Sequence, residues 1–241
     1  MDCVGIIPAR YHSQRLPQKA LLPIADKPMV YWVYQKASQA GLDAVFVATD
    51  HPEILQAVES FGGRALLTRT DHSSGTERVA EAAEKIDARF FINIQGDEPL
   101  IAADVIRAVA TTLRAGNSPV VSAMVAMQDR ESYCNSAVVK VTVDRLRRAL
   151  YFSRSPIPHY RDSSPGTYYK HLGIYGYTRE FLKALKLLAP GKLESAEKLE
   201  QLRFLENGIP IQMVEVQYDS VGVDTAEDLE KVRKAFEVVS G

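Results

Sequence analysis

GIIPARYHSQRLPQK, the stretch from Gly5 to Lys19, decides the fold that the rest of the chain must complete. It begins within a short apolar run, Val4 to Ile7, which has the right length for one buried strand. Pro8 has no N–H to give a ladder, so we expect it to end the pairing of that strand. The loop that follows lacks acidic residues and carries three permanent cations, Arg10, Arg15 and Lys19.

A cationic loop after a strand and ahead of a helix lies where an α/β sheet binds ligands, at the carboxyl ends of its strands. Three cations and free backbone N–H groups suit a polyanion, and a triphosphate is a common small one. The stretch is therefore predicted to bind phosphate. The alternative is a basic loop that is merely solvated.

The composition excludes several classes of protein. The chain has 241 residues, a net charge of −1 and 46% apolar residues, which favours one packed α/β domain over a nucleic-acid binder that works by bulk charge. Cys3 and Cys134 are far apart and lack metal-ligand spacing. We find no signal peptide and no run near the ~20 apolar residues of a membrane helix, so we expect a cytoplasmic protein without membrane insertion.

The first half alternates strands and helices. Apolar runs predict strands over 44–49, 65–67, 90–94 and 120–127, and apolar stripes predict helices after Pro28, Asp50, Thr76 and Asp104, with Asp50 as a helix cap. Successive βα units require right-handed crossovers. The fold class is therefore α/β, with an open, mostly parallel, Rossmann-like sheet.

The pattern changes after about residue 130, where we expect an inserted mixed hairpin and helical segment. Two β-prone runs, 138–143 and 149–153, predict a hairpin. A polar loop at 160–167 precedes a strand at 168–177. Helices are expected at 180–188, 194–207 and 225–239, with a strand at 211–216. This segment is expected to cover the sheet edge and to form a second wall.

Two acidic positions follow predicted strands. Asp97, in Gln95-Gly96-Asp97-Glu98-Pro99, places a hard oxygen ligand at the same edge as the cationic loop, and Mg²⁺ binds through one or two carboxylates plus substrate phosphates. Glu98 has a second explanation as a turn carboxylate. Asp224 is either the N-cap of the last helix, with Thr225 and Asp228 as a capping pair, or a metal ligand.

Three further motifs are polar, and each has an ordinary structural explanation. Ser74-Gly75-Thr76 suits a helix N-terminus that receives a nucleotide, or simply a capped helix. His171 is either a core histidine or a donor to a substrate. Glu200 and Gln201 flank an apolar stripe, where a solvated face is the usual explanation.

The sequence resembles the 3-deoxy-manno-octulosonate (Kdo) cytidylyltransferases over nearly its whole length. The blocks that carry the resemblance are, in order, IIPARYHSQRLPQK, VATDHPEI, DHSSGTERVAE, NIQGDEPLI, ALYFSRSPIP, KHLGIYGY, LEQLR and GVDTAEDLE. The later blocks separate this family from the CMP-sialate synthetases, which share only the first loop. The resemblance implies the nucleotide-diphospho-sugar transferase fold.

The resemblance also implies roles for individual residues. The CTP-binding positions match Ala9, Arg10, Ser13, Lys19, Ser74, Gly75 and Arg78. The Mg²⁺ ligands match Asp97 and Asp224, and the catalytic positions match Arg10, Lys19 and Asp97. The positions that line the sugar-acid site match Arg15, Gln95, Arg154, His171, Tyr175, Glu200 and Gln201. The chain departs from the family at Gln18, Ala20 and Asp26, and Gln18 replaces a glycine in the loop.

The implied activity is transfer of CMP from CTP to Kdo for lipopolysaccharide biosynthesis, with Mg²⁺ as cofactor, in a homodimer. The implied division of a single domain, 1–241, is a CTP-binding half over 1–128, a sugar-acid and dimer segment over 129–218, and a metal-ligand strand end and helix over 219–241. The acceptor stays open between Kdo and its 8-amino analogue. The rival hypotheses are a nucleotidyltransferase for another sugar and a nucleotide sensor without activity.

Overall fold

The computed structural model describes residues 1–13, 15–127, 129–161, 166–219 and 222–240. Its strands are β1 (Cys3–Ala9), β2 (Pro23–Ile24), β3 (Lys27–Pro28), β4 (Ala44–Thr49), β5 (Ala65–Leu67), β6 (Phe90–Asn93), β7 (Val120–Met127), β8 (Lys140–Val143), β9 (Ala149–Ser153), β10 (Tyr168–Thr178) and β11 (Ile211–Val216). Its α-helices are α1 (Met29–Ser38), α2 (Pro52–Ser60), α3 (Gly75–Lys85), α4 (Ala103–Arg114), α5 (Arg130–Cys134), α6 (Arg179–Ala184), α7 (Lys192–Glu197), α8 (Gln201–Glu206) and α9 (Ala226–Ser240).

Within the described residues, the main sheet has nine strands, and its continuous path runs β11-β7-β10-β6-β1-β4-β5. The neighbours β6, β1, β4 and β5 are parallel, as are β7 and β11. β10 is antiparallel to both of its neighbours on this path, β6 and β7. The hairpin β8–β9 leaves the path and pairs beside β10. The predicted α/β class and the mostly parallel sheet with an inserted hairpin are confirmed.

Helices cover both faces of the sheet, which explains why its central strands are apolar throughout. On one face, α1, α2 and α4 pack Val33, Ile54 and Ile106 against the sheet. On the other face, α3, α6 and α8 supply Val79, Phe181 and Phe204. Both layers hold the strands so that the carboxyl ends of β1, β4 and β6 lie along one edge.

The expectation that Pro8 ends strand pairing is wrong. Pro8 pairs with Ala48 of β4, and β1 continues to Ala9. On the β6 side, the pairing runs only from Cys3 to Ile6. Pro8 therefore lies where one side of β1 has already left the ladder, and its missing N–H interrupts no hydrogen bond on the paired side.

Two other expectations about local structure need correction, and one helix is new. His51, not Asp50, caps α2: its ring Nδ1 accepts from the Glu53 N–H. The helix expected over 194–207 is two helices, because Lys198 adopts a left-handed backbone with φ 55° between α7 and α8. The short helix α5 was not expected. Within the loop expected at 160–167, residues 162–165 lie outside the described residues.

Candidate active site

A cleft of about 230 Å³ opens at the carboxyl ends of β1 and β6, against the start of α3. Its lining includes all of the predicted nucleotide-binding residues: Ala9, Arg10, Ser13, Lys19, Ser74, Gly75 and Arg78. Gln95, Gly96 and Asp97 line it as well. The first loop, the α3 start and the loop after β6 therefore form one site.

Lys19 lies between the two predicted metal ligands. Its Nζ is 2.6 Å from Asp97 Oδ2 and 3.2 Å from Asp224 Oδ1, and it donates to the Val223 carbonyl at 2.8 Å. The loop after β6, the segment before α9 and the first loop are remote along the chain and meet at this ammonium. The arrangement therefore brings the carboxylates of Asp97 and Asp224 to one ammonium beside the cleft.

The backbone around Asp97 explains how these segments come together. A Cβ at Gly96 would lie 2.7 Å from the Pro8 carbonyl oxygen, so only glycine lets the loop after β6 pack this closely on β1. The Val223 N–H donates to the Asp97 carbonyl at 2.9 Å. This bond fastens the segment before α9 to the same loop.

Asp224 does not cap the last helix. The Thr225 hydroxyl accepts from the Asp228 N–H at 3.2 Å, and the Asp228 carboxylate accepts from the Thr225 N–H at 3.1 Å. Thr225 and Asp228 thus form the reciprocal pair that begins α9. The Asp224 carboxylate is left to contact Lys19 and Arg15, the latter at 3.0 Å. Arg15, predicted to line the sugar site, is exposed in this contact.

A buried ion pair between Arg78 and Asp50 supports the start of α3. Ser74 caps the helix, because its Oγ accepts from the Glu77 N–H at 3.2 Å. The side chain of Arg78 is only 4% exposed and donates to Asp50 Oδ2 at 3.0 Å and to Thr68 Oγ1 at 2.5 Å. Asp50 was assigned to a helix cap instead. Its place at the carboxyl end of β4 was the signal that could have indicated this role.

Glu200 and Gln201 do not belong to a solvated face. Glu200 Oε1 accepts from the Ser74 hydroxyl at 2.6 Å, and its Oε2 accepts from the Thr76 hydroxyl. Gln201 is only 6% exposed. A predicted sugar-site residue therefore contacts the helix that carries predicted nucleotide-binding residues. Thr76 was not singled out for this contact, since a hydroxyl in a first helical turn gives no signal of a distant partner.

His171 and Tyr175 lie on β10, and the centroids of their rings are 5.4 Å apart. His171 Nε2 is 3.0 Å from the hydroxyl of Ser122, a residue that sequence patterns did not single out. Burial lowers the pKa of His171 to about 3, so its imidazole is neutral near neutral pH. Burial also raises the pKa of the Tyr175 hydroxyl well above its usual value. Gln95 reaches β10 too, where its Nε2 donates to the Gly173 carbonyl at 2.7 Å.

Arg154 follows β9 and is anchored to two other segments of the chain. Its Nε donates to the Glu197 carbonyl at 2.9 Å and its Nη1 to the Ser136 carbonyl at 3.2 Å. The structure connects it to His171 through the hairpin, because the His171 N–H donates to the Val139 carbonyl at 2.9 Å. Arg154 therefore belongs to the β10–β8–β9 wall.

The donors near Lys19 fit a divalent cation that is completed by its substrate. Among the described residues, no group of three or more His, Cys, Asp and Glu side chains could hold a metal by itself. Asp97 and Asp224 nevertheless converge on one ammonium position within 3.2 Å. Mg²⁺ is usually held by one or two carboxylates together with phosphates and water. The two aspartates match that donor set.

Comparison with known proteins identifies the class of enzyme to which the chain belongs. A family model described as cytidylyltransferase matches residues 4–215. The chain is therefore an enzyme of the class that transfers a cytidylyl group.

Individual relatives define the class more closely. The chain is 48% identical over 239 residues to a 3-deoxy-manno-octulosonate cytidylyltransferase from Syntrophobacter fumaroxidans, with 96% of both chains covered. It is 46% identical over 232 residues to the enzyme of that name from Escherichia coli, covering 95% of this chain and 94% of the relative. The solved structure of a CMP:2-keto-3-deoxy-manno-octonic acid synthetase complexed with CTP superposes with a TM-score of 0.96 at 44% identity, covering 99% and 100%.

The chain belongs to the 3-deoxy-manno-octulosonate cytidylyltransferase family. The resemblance that the sequence blocks indicated is confirmed. Among the described residues, no helix has the length and apolar character needed to cross a lipid bilayer.

Proposed function

We propose that the chain activates Kdo by a magnesium-assisted reaction in which the anomeric hydroxyl of the sugar attacks the α-phosphorus of CTP. The products are CMP-Kdo, used in lipopolysaccharide biosynthesis, and pyrophosphate. Family membership supports the substrates and the reaction. The observation that carries the mechanism is the Lys19 ammonium between Asp97 and Asp224, at the rim of the cleft.

CTP is proposed to bind in this cleft. The N–H groups at the start of α3 and the cations Arg10 and Lys19 suit its phosphates. Arg78 is buried and fastened to Asp50, so it would present a rigid wall to the nucleotide. The CTP-binding half then corresponds to residues 1–128.

Arg10 and Lys19 are proposed to stabilise the charge that develops on the phosphate oxygens as the new bond forms. Asp97 and Asp224 would hold Mg²⁺, which when bound neutralises phosphate charge and lowers the pKa of the attacking hydroxyl. The reaction needs no covalent enzyme intermediate, and alignment of the two substrates supplies much of the catalysis.

The sugar acid is proposed to bind the second wall, formed within residues 129–218. Arg154 provides a guanidinium for the sugar carboxylate, and such pairs are often bidentate. The neutral imidazole of His171 and the hydroxyl of Tyr175 are suited to neutral sugar hydroxyls. Gln95, Glu200 and Gln201 complete the proposed site on the side of the nucleotide, and Arg15 lies beside Asp224. Residues 219–241 supply Asp224 and α9.

Asp97→Asn tests the metal assignment directly. Removing one carboxylate from a charge-stabilising site is expected to lower kcat on the order of 10²-fold or more. Pyrophosphate release is measured with CTP, saturating Mg²⁺ and Kdo, alongside sialic acid and a sugar phosphate as alternative acceptors. Asp26→Asn is the matched control, because Asp26 is an exposed turn carboxylate.

A near-wild-type rate for Asp97→Asn would contradict the role of Asp97, whereas turnover of another acceptor in preference to Kdo would contradict the substrate.

The proposed cell compartment is the cytoplasm. Two free cysteines, Cys3 and Cys134, are compatible with a reducing environment. The proposed assembly is a homodimer.

A further inference from the structure

Lys140 is a fully buried lysine that the proposed reaction does not use. It lies on β8 with no accessible surface, opposite Ser153 of β9. Burial lowers the pKa of its ammonium. A buried ammonium costs several kcal/mol of desolvation, which an apolar side chain of similar size would avoid. The groups that this ammonium holds in place therefore decide why a lysine occupies this position.

The ammonium of Lys140 has three N–H donors and three backbone acceptors. It donates to the Asn135 carbonyl at 2.9 Å, to the Val138 carbonyl at 2.6 Å and to the Arg154 carbonyl at 2.5 Å. The first two acceptors bracket the turn that contains Ser136, and the Ser136 carbonyl accepts from the Arg154 side chain at 3.2 Å. Lys140 thus fastens both the backbone of Arg154 and the turn on which its guanidinium rests.

Glu197 holds Arg154 from the opposite side. Its Oε2 accepts from the Arg154 N–H at 2.9 Å, its Oε1 accepts from the Ser153 hydroxyl at 2.6 Å, and its carbonyl accepts from Arg154 Nε at 2.9 Å. Burial alone would raise the pKa of Glu197, but these hydrogen bonds lower it, so the carboxylate stays charged near neutral pH. The backbone of Arg154 is therefore fixed by two charged side chains, Lys140 and Glu197. Its guanidinium is fixed by the backbone carbonyls of Glu197 and Ser136.

We propose that Lys140 is a positioning residue for the sugar acid, which acts by holding Arg154 in the orientation that binds the substrate carboxylate. The inference rests on the proposed role of Arg154. It adds that the orientation of this guanidinium is set by a buried ammonium with no contact to the substrate. Since a misplacement of about 1 Å can cost on the order of 10²-fold in rate, loss of this anchor has a measurable effect.

The test compares steady-state constants of Lys140→Met, Arg154→Ala and the double variant. Lys140→Met is expected to raise the KM for Kdo about tenfold. The KM for CTP is expected to stay unchanged, because Lys140 lies in the second wall. Arg154→Ala is expected to raise the KM for Kdo roughly 10- to 100-fold. The double variant is expected to match Arg154→Ala, since residues that act through one another are not additive.

Lys170→Met is the matched control. Lys170 lies opposite Lys140 on β10, but its ammonium pairs with Asp219 at the surface, at 2.6 Å. The KM of Lys170→Met for Kdo is expected to stay at the wild-type value. If Lys140→Met does not yield folded protein, Glu197→Gln replaces it, because it removes the charge that holds Arg154 and keeps the size of the side chain.

The outcomes separate this inference from the function on which it rests. If Arg154→Ala leaves the KM for Kdo unchanged, the assignment of Arg154 to the sugar carboxylate is wrong, and the role of Lys140 is lost with it. If Arg154→Ala weakens Kdo binding while Lys140→Met and Glu197→Gln do not, only the positioning role is overturned. Equal increases in the KM for Kdo and for CTP, or additive effects in the double variant, would also overturn it.

Discussion

Gln18 adopts a left-handed backbone conformation, with φ 55° and ψ 31°, immediately before Lys19. At this position the family that the sequence resembles usually has glycine. The backbone thus keeps the path that glycine would allow, at a steric cost of roughly 1–2 kcal/mol for a residue with a Cβ. Two local bonds offset part of this cost: Gln18 N–H donates to the Tyr11 carbonyl at 3.2 Å, and its amide contacts the Tyr11 hydroxyl at 2.5 Å.

Replacing Gln18 separates the backbone cost from the side-chain bond. Gln18→Gly and Gln18→Ala both remove the amide contact, but only alanine keeps the Cβ in the left-handed region. We expect Gln18→Gly to be more stable than Gln18→Ala by about 1 kcal/mol. Urea unfolding at equilibrium measures the difference. Equal stabilities would show that the loop carries no such strain.

The two residues before α9 have different tasks. Thr225 forms the capping pair with Asp228, and Asp224 contacts Lys19. Thr225→Ala is therefore expected to lower the free energy of unfolding by about 1 kcal/mol with little change in kcat. Asp224→Asn is expected to lower kcat on the order of 10²-fold with little change in stability. Thermal melts and pyrophosphate release measure both quantities for each variant.

The opposite result would show that Asp224 has a structural role instead. If Asp224→Asn melts earlier and retains its kcat, the carboxylate acts in folding and not in metal binding. Thr225→Ser is the matched control, because serine keeps the capping hydroxyl, and it should behave as wild type in both measurements.

The elements predicted best are those whose signal is local. β4, β5, β7 and β11 were expected with their observed bounds, since continuous apolar runs identify buried strands. The break between α7 and α8 was missed, because Lys198 takes a positive φ that normally signals glycine. The cap of α2 was misassigned between Asp50 and His51, because both can cap a helix and tertiary contacts decided which one does.

In the candidate site, too, local signals were predicted and contacts between distant residues were not. The order of motifs along the sheet edge was enough to predict that the first loop and Asp97 lie close together. The contact of Glu200 with Ser74 joins residues 126 positions apart, and periodicity carries no information about such a pair. The anchor of Arg154 on Lys140 was equally invisible, because a lysine in an apolar run resembles any surface lysine on an edge strand.

At the scale of the whole molecule, the β8–β9 hairpin is the feature best suited to a second copy of the chain. Leu146 in its turn is 66% exposed and Leu150 on β9 is 60% exposed. Within the described residues, β9 pairs along its length with β8 alone. Exposed apolar side chains beside a sheet edge favour association. The hairpin lies within residues 129–218, so it is the surface that we propose for the contact of the homodimer.

Changing the two leucines tests this contact. Leu146→Asp combined with Leu150→Asp would bury two carboxylates in the proposed apolar interface, so we expect the proposed dimer to dissociate into monomers. Light scattering after size exclusion measures the mass across a range of concentrations. Leu187→Asp is the matched control, because Leu187 is 85% exposed and lies outside the hairpin. A dimer that persists in the double variant, or dissociates equally in the control, would move the interface to another surface.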